Sequence, residues 1–520
     1  MKSITKQCGI ILFAMLLFLP FSQPSKTSAG KLKPPGETFT PGQWFLGDTP
    51  ANLDTSKPPI VFVQGKNGSS TSWYGETEYH GTNDMYTKAF EAGYQTVFVQ
   101  LYDAAGNGSE NQYTNGQLLS SMLANISKHF NGKKVNIIAH SKGGPDTQAA
   151  LIHYGAHSYV GKVFTLGSPH HGSELADLSY SWYAGWLGEL LGQNDAGTYS
   201  LQVGEMAKFR SATDNHSNRS KNKYYTIAGS DRGPALSALS LGGAYLGTYG
   251  ANDGLVTVTS TKLPYGTHLF TDSTLDHDNI RMGSKVFSRM EPYLRTSTVT
   301  SSAAASNTFI QNEENIESSS SQYIHGDKLI QNQTIKKDIY IPEKTTGSIS
   351  IYTASSSTIV ELISPDGVVI KAKKPSTDHL IFSGASLYSF NLSEFTPGNW
   401  TVRMKATKEK DAYLLASSFN DQEVLKMKMP GRGKSAQTDF TIKTPNQAGT
   451  SSFSIKLVDK DGKTVNQNIL PQTKNGIDFT AKVPKVEKTG VYNMTVDVKT
   501  KHPNGNESIR TLVRSIYIEQ

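Results

Sequence analysis

Between residue 58 and about residue 295 the chain alternates short, unbroken apolar runs with segments whose apolar residues recur at helical spacing. PPIVFVQG (58–65), YQTVFVQLYD (94–103), KVNIIAH (134–140), KVFTLGSP (162–169) and KYYTIAGS (223–230) are rich in β-branched residues and bounded by Gly, Pro, Asn or Ser. Such runs suit strands covered on both faces, as in a parallel sheet. NDMYTKAFEAG and NGQLLSSMLANISKHFNG carry the helical spacing instead, and the alternation predicts a mostly parallel α/β sheet flanked by helices.

From 296 to 324 the composition turns to Ser, Thr, Ala and Asn and the periodicity lapses, which predicts a linker. Beyond it the chain reads as strand after strand. ELISPDGVVI (361–370) and KLVDKDGKTV (456–465) are each a strand, an Asp-Gly turn and a second strand. TPGNWTVRMKA (396–406) and KTGVYNMTVDV (488–498) each place a glycine two residues before an aromatic that opens a strand. The pairing predicts two all-β, Ig-like sandwiches over 325–418 and 419–520, with Trp400 and Tyr492 at the corner entering a late strand.

Composition adds three points. A chain of 520 residues is too long for one core. Its net charge of +7 comes from scattered lysines and gives no basic block of the kind that reads nucleic acid. At the N-terminus, Lys2 and Lys6 precede CGIILFAMLLFLPF, and small residues follow at Thr27 and Ala29, so 1–29 reads as a secretory signal peptide cut near Ala29. Cys8 is the single cysteine, so the secreted chain would hold no disulfide, and nothing after residue 30 approaches membrane-spanning length.

The chemistry centres on IIAHSKGG (137–144). A nucleophilic serine needs a strand that ends sharply, a serine at the tip, a helix that starts at once, and small residues two before and two after the serine. VNII supplies the strand, Ala139 and Gly143 the small residues, and GGPDTQAALIHYGAH the helix. Pro145 is tolerable in a first turn, which has no intrahelical bond to lose.

Ala-His-Ser-x-Gly-Gly after an apolar strand resembles the secreted bacterial lipases of the α/β-hydrolase superfamily, as do FTLGSPHHGSELADL (164–178) and ANDGLV (251–256). The resemblance covers roughly residues 58–294 and implies an α/β-hydrolase catalytic domain over 30–295. It implies a triad in the order Ser, acid, His: Ser141 as nucleophile, Asp253 as acid with Asp231 as runner-up, and His277 as base, with His268, His170 and His171 as competitors. The oxyanion would be met by the backbone N–H groups of Lys142 and Lys66, although this chain carries Gln64 where such lipases usually have histidine. Lysines at both positions leave two readings. The crevice is electropositive and admits esters with nearby negative charge, or both ammonium groups point to water.

Tyr180, Trp182, Tyr183, Trp186 and Leu187 make an aromatic, apolar stretch that suits either a lid and pocket wall or a core helix. No organic cofactor is expected. Related lipases hold calcium near the histidine loop, and Asp231 and Asp278 are the candidate oxygen ligands for one here. The expected activity is secreted carboxylic-ester hydrolysis, foremost a triacylglycerol lipase or esterase acting through an acyl-enzyme on Ser141. Alternatives are a polyester depolymerase, a phospholipase, or an adhesin on an inactive scaffold. The sandwiches would contact cell wall, polymer or another surface.

Overall fold

The computed structural model describes residues 38–106, 108–192, 195–298, 316–422, 424–444, 450–474 and 479–520. The expected signal peptide with Cys8, and residues 299–315 of the expected linker, lie outside the described residues.

In chain order the first half runs β1 (Trp44–Leu46), β2 (Ile60–Val63), α1 (Met85–Glu91), β3 (Thr96–Val99), α2 (Gln112–His129), β4 (Val135–His140), α3 (Gly143–Gln148) and β5 (Val160–Leu166). It continues through α4 (Glu174–Ser179), α5 (Gly185–Leu191), α6 (Ala196–Ser200), α7 (Val203–Thr213), β6 (Lys223–Gly229), α8 (Ala238–Leu246), β7 (Thr267–Asp272) and α9 (Gly283–Leu294). The strands form one seven-stranded sheet in the order β1-β3-β2-β4-β5-β6-β7. Only β1 is antiparallel to its neighbour; the other pairs are parallel.

The unbroken apolar runs follow from this topology. All residues of β2, β3, β4 and β5 are buried, because helices cover both faces. Leu119, Leu123 and Ile126 of α2 pack on Val61, Val97 and Ile137. On the other face Phe62 stacks between Trp73 and Phe98 at ring separations of 4.9 and 5.3 Å. In register, Val63 pairs with Ala139 and His140 with Leu166, so β2, β4 and β5 deliver their carboxyl ends to one edge.

One segment with the composition of a strand does not form one. LVTVTST (255–261) has strong β-branched character, yet it folds as successive turns. The N–H groups of Leu255 and Val256 donate to Asp253 Oδ1, and Gly254 N donates to Asn252 Oδ1. Local side-chain acceptors capture the donors that a ladder would use.

Two β-sandwiches follow. The first pairs a four-stranded sheet that includes Thr334–Ile341 and Gly398–Lys405 with a five-stranded one that includes Thr345–Thr353 and Asp411–Phe419. The second is built likewise, with Gly490–Lys501 and Glu507–Glu519 in its larger sheet. Each has its own apolar core. Trp400 Nε1 donates to Thr396 O at 2.9 Å and Tyr492 Oη donates to Lys488 O at 2.6 Å, so both aromatics fasten the chain four residues back.

The end of the expected linker is paired sheet rather than free chain. Ile316–Ser320 pairs with Leu425–Met429 in the second sandwich, and Gln322–Leu329 pairs with Asp411–Phe419 in the first. The backbone donors and acceptors of this polar stretch are met by sheet partners, which its composition does not reveal.

The sandwiches dock on the hydrolase half through a shared cluster. Leu175, Leu178, Leu187, Leu241 and Tyr245 pack against Ile324, Tyr352, Phe382 and Leu414. A buried polar clamp flanks it: Arg514 Nη1 lies 2.8 Å from Glu174 Oε1, and Asp177 accepts from Val203 N and Ser515 N, each at 3.0 Å.

Candidate active site

The chain turns sharply at Ser141, whose φ of 52° lies in the left-handed region that a side chain adopts only where the surroundings enforce it. Enforcement comes from close packing. A side chain on Gly143 would place its Cβ 2.4 Å from Gln64 O and 2.9 Å from Val63 O, both backbone atoms. One on Gly65 would come within 2.9 Å of Ser141 Cβ. The loop after β2 and the turn after β4 therefore interlock. Alanine at 139 sits inside β4 and is fully buried without conflict.

His277 Nε2 lies 3.0 Å from Ser141 Oγ, and His277 Nδ1 lies 2.9 Å from Asp253 Oδ2. All three residues are buried. Asp253 cannot drift, since its other carboxylate oxygen accepts from Leu255 N and Val256 N, and its carbonyl accepts from His277 N at 2.8 Å. The Asp276 carboxylate accepts from Asp278 N and Asn279 N, fixing the turn on which His277 rides.

The competitors lie elsewhere. His170 is buried between Gln148 Oε1 and Thr165 Oγ1, His171 bonds Lys262 O, and His268 bonds Thr226 and Thr271. His140 carries a role that its place in the motif did not announce. It is buried, its Nε2 donates to His277 O at 2.9 Å, and the two rings are 4.9 Å apart. Burial, reinforced by His277 and Arg281, holds its pKa well below that of a free imidazole, so it stays neutral.

Ser141 and His277 line a cavity of about 280 Å³. Leu175, Ala176, Leu201, Leu239, Leu255 and Val256 give it apolar walls. Lys66 lines it beside Ser141, and Lys142 follows Ser141 into α3. Gln64, in the place of the family's histidine, is fully buried: its amide donates to Val99 O at 3.0 Å and its carbonyl accepts from Leu101 N at 2.8 Å. It thus ties the loop to the end of β3.

Three expectations need correction. Tyr180, Trp182, Tyr183, Trp186 and Leu187 are not among the residues lining the cavity. Tyr180 Oη donates to Asp195 O, inside the hydrolase half. The others meet the sandwiches: Tyr183 Oη donates to Asp497 Oδ2 at 2.7 Å, Lys328 Nζ sits 3.9 Å from the Trp186 ring centre, Lys456 Nζ 5.1 Å from that of Trp182, and Leu187 packs by Ile324 and Leu414. In their stead the first sandwich lends His379, Leu380 and Ile381 to the cavity lining.

Neither reading of the lysines fits Lys142. Lys142 is fully buried with Nζ 2.9 Å from both Asp146 carboxylate oxygens, and Lys66 Nζ lies 3.3 Å from Asp195 Oδ2. The charge of Lys142 is matched within the protein, whereas Lys66, paired with Asp195, keeps part of its side chain exposed and lines the cavity.

Calcium does not fit its expected ligands. Asp278 is taken up by Arg281 at 2.6 Å and by Tyr79 N, Asp231 accepts from Gly233 N, and no group of three or more His, Cys, Asp or Glu suited to a metal occurs among the described residues.

No protein-family model matches the chain. Curated triacylglycerol lipases of Pseudomonas fragi and Vibrio cholerae are 32% and 34% identical over 133 and 123 residues, 25% and 23% of this chain. The chain spans only 41% and 35% of the length of these two relatives. The crystal structure of the Bacillus licheniformis lipase BlEst2 in its propeptide form is 32% identical, covering 92% of this chain and 98% of that one with a TM-score of 0.74. On the near-complete match to that lipase and the α/β-hydrolase sheet described above, the chain belongs to the lipase/esterase family of α/β-hydrolases.

Proposed function

We propose that this chain is the precursor of a secreted serine carboxylic-ester hydrolase of the lipase type, with the β-sandwich half as its cover. The observation that carries the reading is the continuous relay Ser141 Oγ to His277 Nε2, 3.0 Å, and His277 Nδ1 to Asp253 Oδ2, 2.9 Å, whose Ser141 and His277 line a cavity with apolar walls.

Ser141 Oγ attacks the ester carbonyl while His277 takes its proton, and Asp253 fixes the imidazole tautomer and stabilises the imidazolium. The tetrahedral oxyanion is held by the N–H groups of Lys66 and Lys142. Collapse expels the alcohol, which receives the proton from His277. Water, deprotonated by His277, then attacks the acyl-enzyme, and the acid leaves as Ser141 regains its proton.

Apolar walls suit an acyl chain, in keeping with the triacylglycerol lipases among the relatives. The role of the sandwiches as a cover is supported by His379, Leu380 and Ile381 in the cavity lining, and by the propeptide form in which the Bacillus licheniformis relative was solved. Binding of a separate surface by the sandwiches has no such support.

The test is hydrolysis of p-nitrophenyl esters of rising acyl length, and of a triacylglycerol emulsion, by the full chain and by Ser141→Ala. Turnover that vanishes in Ser141→Ala supports the reading. No turnover of any ester, before or after proteolytic cleavage between residues 296 and 324, overturns it.

A further inference from the structure

Lys142 presents a problem that the triad leaves unsolved. Its backbone continues the nucleophile turn, but its side chain runs inward and is fully buried. Removing an ammonium group from water costs several kcal/mol, and an apolar side chain of similar volume would fill the space without that penalty. The answer lies in what the ammonium joins.

Nζ lies 2.9 Å from both oxygens of Asp146, one turn along α3, and 3.9 Å from Asp103 Oδ2 in the short helical turn after β3. Asn115 of α2 donates to Asp103 Oδ2 at 2.6 Å and to Asp146 Oδ2 at 3.0 Å, closing the cluster. The remaining oxygen of Asp103 reaches the active-site loop, where it accepts from Asn67 N at 3.2 Å. Asn67 directly follows Lys66 and has a φ of 54°, so the loop at the second oxyanion donor bends through a conformation that needs holding.

The far side of the loop is held too. Lys66 Nζ pairs with Asp195, which caps α6 by accepting from Thr198 N. Gly197 N donates to Ser109 O at 2.7 Å, and Ser109 Oγ returns to Asp103. The connections form a closed ring through Lys66 and Lys142.

We propose that the buried Lys142 side chain is a positioning residue for the oxyanion hole, clamping through Asp103 the loop that carries the Lys66 donor to the turn that carries the Lys142 donor. The proposal rests on the ester-hydrolase reading above. Burial works against the ammonium, but Asp103 and Asp146 more than offset it and raise the Lys142 pKa, so the clamp stays charged. Apolar cores hold helices to strands without specifying a loop to within a fraction of an ångström. A charged group with fixed acceptors on two elements does so.

The experiment uses the full chain and compares wild type with Lys142→Met/Asp146→Asn, which removes one positive and one negative charge together, and with Asp103→Asn. Readouts are kcat and KM for a soluble p-nitrophenyl ester, inhibition by an alkylboronic acid that mimics the tetrahedral intermediate, and the thermal midpoint. The clamp predicts that kcat and boronate affinity fall together, by about 100-fold in the double variant and about tenfold in Asp103→Asn, with KM within about twofold. A folded variant with unchanged kcat, or with KM alone raised, overturns the proposal. If the double variant does not fold, Asp103→Asn decides by the same criteria. If wild type itself turns over no ester, cleaved or intact, the hydrolase reading fails; wild-type turnover with unaffected variants fails the clamp alone.

Discussion

His140 grips His277 by its backbone: His140 Nε2 donates to the carbonyl oxygen of His277 at 2.9 Å while the two rings lie 4.9 Å apart. A residue of the nucleophile motif thereby sets the height of the base above the serine. His140→Phe keeps a ring in place and removes the bond. It is expected to lower kcat by about tenfold, the rate equivalent of about 1.4 kcal/mol and the upper end for one hydrogen bond, with KM unchanged. Steady-state kinetics on a soluble ester check it, and an unaltered kcat would show that His277 is held without His140.

Gly143→Ala carries a sharper expectation. The added Cβ would meet two backbone oxygens of the neighbouring loop at 2.4 and 2.9 Å, so the loop bearing Lys66 must retreat. The loss expected in kcat is about 100-fold, the value of one misplaced oxyanion donor. Gly144 serves as the comparison, since the closest atoms there belong to the side chain of Ser168, and kcat of Gly144→Ala should fall less.

The cover can be tested at its tip. Asp378 accepts from the N–H groups of Leu380, Ile381 and Phe382, which makes the loop at the cavity a built unit, and Ile381 packs close to α8 beside Gly242. Leu380→Gly/Ile381→Gly removes its apolar tip. Burial of one such side chain is worth about 1.5–3 kcal/mol, so kcat/KM of the full chain should rise at least about tenfold. No rise would mean that the loop does not obstruct the cavity.

Stability should depend on pH in two opposed ways. Burial holds His140 and His170 well below the free imidazole value, so below about pH 6.5 the unfolded chain binds protons that the folded chain refuses, and stability falls as pH falls. Burial pushes Asp177 up to about 6, so the folded chain keeps a proton there that the unfolded chain releases near 3.8. Its contribution falls as pH rises between those values. His170→Gln removes one term of the first kind. Its thermal midpoint, measured between about pH 4.5 and 6.5, should gain less with rising pH than that of wild type. An identical gain in both would show that His170 takes up its proton in the folded chain.

Much of the site was legible because its demands are local. Ser141 needs a strand, a turn and small neighbours within a dozen residues, and all are contiguous in VNIIAHSKGG. The Ser, acid, His order that the resemblance implies admits Asp253 and His277 but also Asp231 and His268, and in the structure it is His277 that stands in hydrogen-bonding reach of both Asp253 and Ser141. What could not be read depends on distant partners. The aromatics of 180–187 look like a pocket because nothing nearby in sequence covers them; what covers Tyr183 and Leu187 is Asp497, Ile324 and Leu414. Leu380 and Ile381 reach the cavity from the other half of the chain. LVTVTST misleads for the opposite reason, since its strand propensity loses to the acceptor at Asp253 Oδ1 only two and three residues away. The Lys142 side chain is legible only in part: Asp146 stands one helical turn away in the sequence, whereas Asp103 lies on a different element.

The whole mechanism stands on Ser141 being a nucleophile activated by His277. Reaction of the full chain with a small fluorophosphonate, followed by intact mass and peptide mapping, tests it most directly. The expected result is a single adduct on Ser141, with labelling slowed by about 10⁴-fold in Asp253→Asn. An adduct elsewhere, none at all, or a labelling rate indifferent to Asp253 would contradict it.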